Sequence, residues 1–379
     1  MPPEDETGLP LGETTQSEVN RLRKDDFSGK RINRRLINAV WSIITPVAAI
    51  LVALLLSALL LIIAGYSPAE AFPVMWRGAF QDQRTFSEVL LKATPLIFTG
   101  VGLALAFRCG ITNLGAEGQF YAGAVTATLI GVNLSGLPSY IIISLLLGGG
   151  IISGALWGMI AGFLKIRFGA SEVVSTIMLN YLAIIFTGYL VTGPMKEEAV
   201  GFPQTAKIGE AAFLPRFLPP TRLHVGFILA IIIAIIVYIL LFKTRTGYAI
   251  RAVGINPEAA RYAGISVKSN MLLAIAISGG AAGLGGAVEV AGVTFRLFQL
   301  ISPGYGFDGI AVSLLVNNNP LGVILSAILF GALRSGSELM QMNVKVPSVL
   351  VFAIQGIVIL SVIAFSVYRK RLMHWREVK

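Results

Sequence analysis

The chain has 379 residues, 55% hydrophobic and 13% charged, with a formal net charge of +10 and a mean hydropathy of +0.76. A soluble domain of this length needs far more polar surface, and many apolar stretches approach the roughly 20 residues that cross a bilayer. The one cysteine, Cys109, excludes an internal disulfide. The late start of the first apolar run, with no small-residue cleavage pattern, argues against a secretory signal.

In chain order, residues 1–36 read as a cytoplasmic tail, largely disordered, its first 20 residues acidic and containing proline and glycine. Ten spans follow, at roughly 37–64, 89–108, 113–133, 138–164, 172–193, 224–243, 269–291, 303–317, 320–340 and 347–367. Residues 368–379 close the chain as a basic tail. Residues 66–87 form one external segment, with a short helix expected from Ser67 as cap and Pro68 at the first position. Residues 194–222 form the longest external loop, whose prolines oppose one continuous helix. No soluble catalytic domain has room to fold.

With the N-terminus inside, the cytoplasmic segments hold 20 of the 30 basic residues, which places both termini in the cytoplasm. The net charge is thus membrane topology. Nucleic acid is not an expected partner, because the basic residues flank spans and form no stripe.

Three motifs carry no chemistry of their own. "GYGFDG", Gly304 to Gly309, matches G-x-G-x-x-G but lacks the strand that a dinucleotide site needs. Gly150, Gly154, Gly158 and Gly162 lie on one face of the fourth span and read as close helix packing. His224 and His374 are too far apart in sequence to suggest a metal site. There is no G-x-x-x-x-G-K-[ST], so ATP has no P-loop here.

Two stretches stand out. "GITNLGAEGQFYAGA", Gly110 to Ala124, puts Asn113, Glu117 and Gln119 among glycines between apolar runs. A carboxylate at the bilayer centre costs about 2.5–3.5 kcal/mol even on the mild insertion scale, and is tolerated where it faces protein or water. These groups line or brace a polar path; the alternative is that Glu117 caps a half-helix or bonds neighbouring backbone. Asn180, Glu289 and Asp308 are weighed in the same way. The second stretch is the loop "KTRTGYAIRAVGINPEAARYAGISVKS". Asn256 caps, Pro257 suits the first helical position, Glu258 complements the helix start and Gly264 closes, which predicts two turns over 257–263. A rigid capped helix between two spans is a docking element or a structured interfacial loop.

"GYAIRAVGINPEAARYAGISV" resembles the coupling-helix region of ABC importer permeases. "GITNLGAEGQFYAGA" resembles the matching segment in the ribose, branched-chain amino acid and nucleoside branch. With "STIMLNYLA", Ser175 to Ala183, it is most like nucleoside-type (basic membrane lipoprotein-linked) permeases. The likeness runs from about residue 40 to 367. It implies an all-α polytopic membrane protein of the type II, cobalamin-importer-like permease fold, with ten transmembrane helices in two inverted five-helix halves. Spans 3 and 8 then correspond, and each puts an acid before a glycine: Glu117-Gly118 and Asp308-Gly309.

The resemblance further implies a substrate pathway lined or supported by Asn113, Glu117, Gln119, Asn180, Glu289, Phe307 and Asp308. ATPase coupling falls to Arg251, Gly254, Asn256, Pro257, Glu258, Ala260, Tyr262 and Gly264. Its implied partners are ABC ATPase subunits, a second and different permease, an extracytoplasmic substrate-binding lipoprotein and membrane lipid. No cofactor is expected on this chain, ATP and magnesium belonging to the ATPase. The expected location is the bacterial cell membrane and the expected solute a nucleoside, with ribose or another simple sugar or a branched-chain amino acid as alternatives. An ion-coupled secondary transporter is the rival class, since inverted repeats and membrane carboxylates suit it too. A membrane scaffold or receptor has no evident use for the polar, glycine-rich spans 3 and 8.

Overall fold

The computed structural model describes residues 51–134, 136–198, 201–347 and 349–358, and the single positions 48, 360, 361 and 364. Readings made for the 1–36 and 368–379 tails and for the outer ends of the first and last spans lie outside these residues. Contacts divide the chain into Ala58–Gly356 and a second unit made of the two flanking ends, Met1–Ser57 and Ile357–Lys379. The described positions of the second unit are helical.

The helices are α1 (Leu51–Ile63), α2 (Pro68–Phe80), α3 (Gln83–Arg108), α4 (Ala116–Asn133), α5 (Ser139–Phe168), α6 (Glu172–Thr192), α7 (Gly226–Lys243), α8 (Arg245–Ile255), α9 (Pro257–Tyr262), α10 (Val267–Glu289), α11 (Tyr305–Leu315) and α12 (Pro320–Val344), followed by α13 (Val349–Val358). Among the described residues the only β pairing is isolated bridges, such as Gln204 with Phe298. Among the described residues six helices are long and apolar enough to cross a membrane: α3, α5, α6, α7, α10 extended to Thr294, and α12.

Helix starts and stops follow local chemistry. Asp82 caps α3 with a capping box: its Oδ1 accepts from the Thr85 N–H at 2.7 Å, and its own N–H donates to Thr85 Oγ1 at 3.0 Å. This starts α3 at Gln83, several residues before the expected 89. Ser67 precedes α2 as expected, with Pro68 at the first position, but its hydroxyl makes no capping bond. Thr244 Oγ1 accepts from the Gly247 N–H at 3.1 Å and starts α8, an eleven-residue helix that sequence reading did not separate from the loop.

α3 and α10 form the interior. α3 is buried without interruption from Ala93 to Ala106, and α10 from Ser278 to Glu289. α5, α6 and α7 bury a minority of their residues and turn Ile152, Phe186 and Ile236 outward, as helices meeting lipid do. The glycine stripe of α5 lies on α10. A Cβ on Gly154 would sit 2.3 Å from the Gly279 carbonyl oxygen, and one on Gly283 2.3 Å from that of Gly150, so the two backbones touch.

The 194–222 loop folds onto the segment between α10 and α11. The Thr205 N–H donates to the Leu297 carbonyl (3.2 Å), that of Ile208 to Phe295 (3.0 Å) and that of Leu214 to Ala291 (2.9 Å). Arg296 pairs with Glu197. α10 itself runs into a π-helical turn, Val290–Thr294, ended by Phe295 at φ 55°.

Candidate functional site

α4 starts inside the protein. The first turn of a helix leaves backbone N–H groups without intrahelical partners, and here Asn180 of α6 and Asn113 just before the helix accept from two of them. Asn180 of α6 clips the chain: its Oδ1 accepts from the Gly118 N–H at 2.8 Å, and its Nδ2 donates to the Leu114 carbonyl at 2.8 Å. The Leu114 N–H donates to Thr176 Oγ1 at 3.3 Å. Asn113 Oδ1 accepts from the Gly115 N–H at 2.9 Å. The carboxamides of Asn113 and Gln119 exchange two bonds of 3.2 Å, and Asn113 Nδ2 also donates to Ser278 Oγ of α10 at 3.0 Å. Asn113, Gln119 and Asn180 are all at most 1% exposed. A buried polar network of this kind is stable when satisfied.

Glu117, also buried, points the other way. Its Oε2 accepts from the Gly306 N–H at 2.7 Å, a free donor in the first turn of α11. The approach requires glycine: a Cβ on Gly306 would lie 2.2 Å from the Glu117 amide nitrogen. The turn into α11 is fixed by Ser302, whose hydroxyl accepts from the Gly304 (3.2 Å) and Tyr305 (3.0 Å) N–H groups. Thr99 of α3 donates to the Tyr305 carbonyl at 3.1 Å, and the Tyr305 ring packs on Phe120 at 5.7 Å.

Asp308 does not mirror Glu117. It faces Arg334 of α12, Nη2 to Oδ2 3.2 Å. Arg334 also donates to the Pro303 carbonyl at 2.9 Å and lies over the Tyr305 ring at 4.7 Å. Glu289 is buried at the last turn of α10, just before the π-helical turn. Phe307 is 45% exposed and stands apart from the α4 network. Sequence reading passed over Arg334, Ser278, Ser302 and Thr176. A lone arginine in the apolar run "AILFGALRSGSELM" is a usable signal, because an intramembrane charge needs a partner.

The second group of residues is the α8–α9 corner. Asn256 Oδ1 accepts from the Glu258 and Ala259 N–H groups at 3.0 and 3.1 Å, Pro257 takes the first position, and Gly264 closes at φ 78°. α9 therefore spans Pro257–Tyr262, one residue short of the 257–263 that the caps predict, with Ala263 as its C-cap. Ala260 is its buried contact, whereas Tyr262 is 92% exposed. Glu258 lies 3.8 Å from Arg261. Arg251 stacks on the Phe242 ring at 5.2 Å. Gly254 is pressed against α3: a Cβ there would lie 2.0 Å from the Arg108 carbonyl oxygen.

The profile of the family described as "Branched-chain amino acid transport system / permease component" matches residues 85–363. The chain belongs to that family. It is a multi-pass membrane protein and the permease component of a transport system. This permease is 37% identical over 333 residues to the guanosine ABC transporter permease protein NupP of Bacillus subtilis, covering 86% of this chain and 94% of that one. It is 33% identical over 347 residues to the glucose ABC transporter permease protein TsgB13 of Haloferax volcanii, covering 89% and 91%. To the nucleoside ABC transporter permease protein NupB of Lactococcus lactis it is 33% identical over 309 residues, covering 79% and 85%. In each of these organisms a second permease is also similar: NupQ of B. subtilis and NupC of L. lactis at 30% identity and the putative glucose permease TsgC13 of H. volcanii at 31%.

Proposed function

We propose that this permease is a subunit of an ATP-driven ABC importer whose solute is a nucleoside. The observation that carries this is the 37% identity to a guanosine permease over 86% of the chain, supported by the likeness to a nucleoside permease. The glucose permease keeps a simple sugar as the alternative solute.

The architecture we read is two inverted halves of five spans: α1, α3, α4, α5 and α6, then α7, α10, α11, α12 and α13. The third member of each half is α4 and α11, and what supports the pairing is that each has an acid in its first turn, Glu117 and Asp308. With basic segments inside, both termini are cytoplasmic, and the 194–222 loop faces outside, where a substrate-binding lipoprotein delivers solute. The exposed α9 faces the cytoplasm as the seat of an ATPase. ATP and magnesium act on that subunit, in keeping with the lack of a P-loop in this sequence. The paired relatives in three organisms support a second, different permease beside this one.

Transport is by alternating access. ATP closes the motor, α9 passes the motion to the spans, and the polar region around Asn113, Glu117, Gln119 and Asn180 opens to one side and then the other. Carboxamides and carboxylates suit an uncharged solute rich in hydroxyls, because they give directional hydrogen bonds without needing a counter-charge.

The test is uptake of labelled guanosine by the complete complex in proteoliposomes, with glucose and leucine as competing solutes. Uptake that needs ATP inside and survives an uncoupler supports the reading. Uptake by this chain alone, lost on uncoupling, replaces it with an ion-coupled transporter.

A further inference from the structure

The geometry points to Arg108 as a positioning residue that ties the α8–α9 corner to α11, so that displacement of the corner reaches the Glu117–Gly306 contact; this rests on the ATP-driven reading above. Arg108 is the last residue of α3. Its side chain donates twice to the turn between α11 and α12: Nη2 to the Asn317 carbonyl at 2.9 Å and Nε to the Asn318 carbonyl at 3.1 Å. These partners lie 209 and 210 residues away in sequence. A guanidinium presents its donors in a fixed fork, so two adjacent carbonyls are held at once.

The turn is shaped to offer those carbonyls. Asn317 and Asn318 both take left-handed backbone, φ 52° and 57°, a conformation in which asparagine is enriched. Ser313 donates to Asn318 Oδ1 at 2.9 Å, fastening the turn to the last residues of α11.

On its other side Arg108 meets the α8–α9 corner. Its carbonyl oxygen is the atom that a Cβ on Gly254 would strike, so α8 rests directly on the end of α3. Phe242, at the end of α7, is flanked by the guanidinium groups of Arg108 (5.5 Å) and Arg251 (5.2 Å). A Cβ on Gly247 would lie 1.9 Å from the Leu240 carbonyl oxygen, which leaves the α7–α8 corner no slack. From α9 the contacts therefore run through Gly254 and Arg108 to the 317–318 turn.

α11 completes the path. It has 11 residues, with the 317–318 turn after its C-terminus and Gly306 in its first turn. α3 is fastened near both ends of it, by Thr99 to the Tyr305 carbonyl (3.1 Å) and by Arg108 at the far end. Contiguity alone is not coupling, so the decisive quantity is the ratio of solute moved to ATP split.

The experiment compares wild type, Arg108→Gln and Arg108→Lys in the complete complex, reading guanosine uptake and ATP hydrolysis in the same proteoliposomes. Arg108→Gln is expected to keep hydrolysis within twofold while uptake per ATP falls at least tenfold. Arg108→Lys keeps the charge but loses the fork, and is expected to fall between the two. An unchanged ratio in Arg108→Gln overturns the assignment. So does loss of ATPase co-purification in both variants, which makes Arg108 a folding residue. Wild type that hydrolyses ATP without taking up guanosine, glucose or leucine fails the transport reading itself, and is seen before any variant is compared.

Discussion

Glu117 of α4 accepts a 2.7 Å hydrogen bond from the backbone N–H of Gly306 in α11, so a first-turn acid of one helix satisfies a first-turn donor of another. Each helix start carries about half a positive charge, from dipoles that do not cancel there. Two starts brought together repel, and an acceptor placed between them gives the Gly306 donor its partner. The contact joins parts of the chain 189 residues apart.

The first prediction separates shape from charge at this contact. Glu117→Gln keeps an oxygen for Gly306 and is expected to lower uptake only a few-fold. Glu117→Leu leaves a buried N–H without an acceptor, a cost of about 1–3 kcal/mol, and is expected to bring uptake close to background with ATPase association intact. Uptake assays with co-purification check both. Wild-type uptake by the leucine variant removes Glu117 from the path and its support.

The second concerns the partner glycine. Gly306→Ala puts a methyl group 2.2 Å from the Glu117 nitrogen, and the neighbours there are backbone. Overpacking of this kind costs about 1–3 kcal/mol. The variant in detergent is expected to melt several degrees below wild type and to lose uptake. An unchanged melting temperature and normal uptake show that the two helices are not held as tightly as the contact requires.

How far these features were legible in the sequence depends on the range of the interaction. The α9 caps are local: Asn256, Pro257 and Gly264 act within nine residues, and the helix appears where they predict it. The α5 glycine stripe is also local, since a period of four marks one face whatever lies opposite. The apolar runs coincide with the six long helices, but α3 begins six residues early because Asp82 and Thr85 form a box that hydropathy does not register. Asn113, Glu117 and Gln119 stood out as misfits in an apolar run, yet which groups they bond did not. Gly306 and Ser278 come from distant elements, and nothing near Glu117 in sequence encodes Gly306; Asn180 was named for the pathway, but its role as the clip on the start of α4 was not. For the same reason the likeness of Glu117-Gly118 to Asp308-Gly309 did not foretell that the two acids take different partners.

A third prediction tests α9 as the docking seat. Replacing Pro257 and Glu258 by glycine removes a preset backbone angle and a first-turn acid, and glycine costs a helix about 1 kcal/mol per position. A six-residue helix has little to spare. ATPase co-purification is expected to drop while the permease still folds and elutes as wild type. Undiminished association and uptake remove the docking assignment.

A fourth checks orientation. Tags at residue 10 and after Lys379 are expected to react only from the cytoplasmic side, and one near Lys207 only from outside. A C-terminal tag reached from outside means an odd number of true crossings. α4 and α11 are then the first suspects, because α11 has 11 residues and at 1.5 Å per residue is about 16 Å long, against about 30 Å of hydrocarbon.

The last prediction concerns Asp308 and Arg334. Arg334 has 10% of its side chain exposed and Asp308 26%, and Arg334 holds three things at once: the Asp308 carboxylate, the Pro303 carbonyl and the face of Tyr305. Removing one member of a buried pair strands the other, at about 3–5 kcal/mol. Arg334→Gln is therefore expected to destabilise the permease and lower uptake more than Asp308→Asn, which keeps an acceptor oxygen for Arg334. The double variant Asp308→Asn, Arg334→Gln leaves no uncompensated charge at either position, so its melting temperature is expected to recover part of the loss seen in Arg334→Gln alone. Thermal melting of the four proteins reads the coupling between the two residues. Strictly additive losses mean that Arg334 acts through Pro303 and Tyr305, and that Asp308 is a bystander to the start of α11.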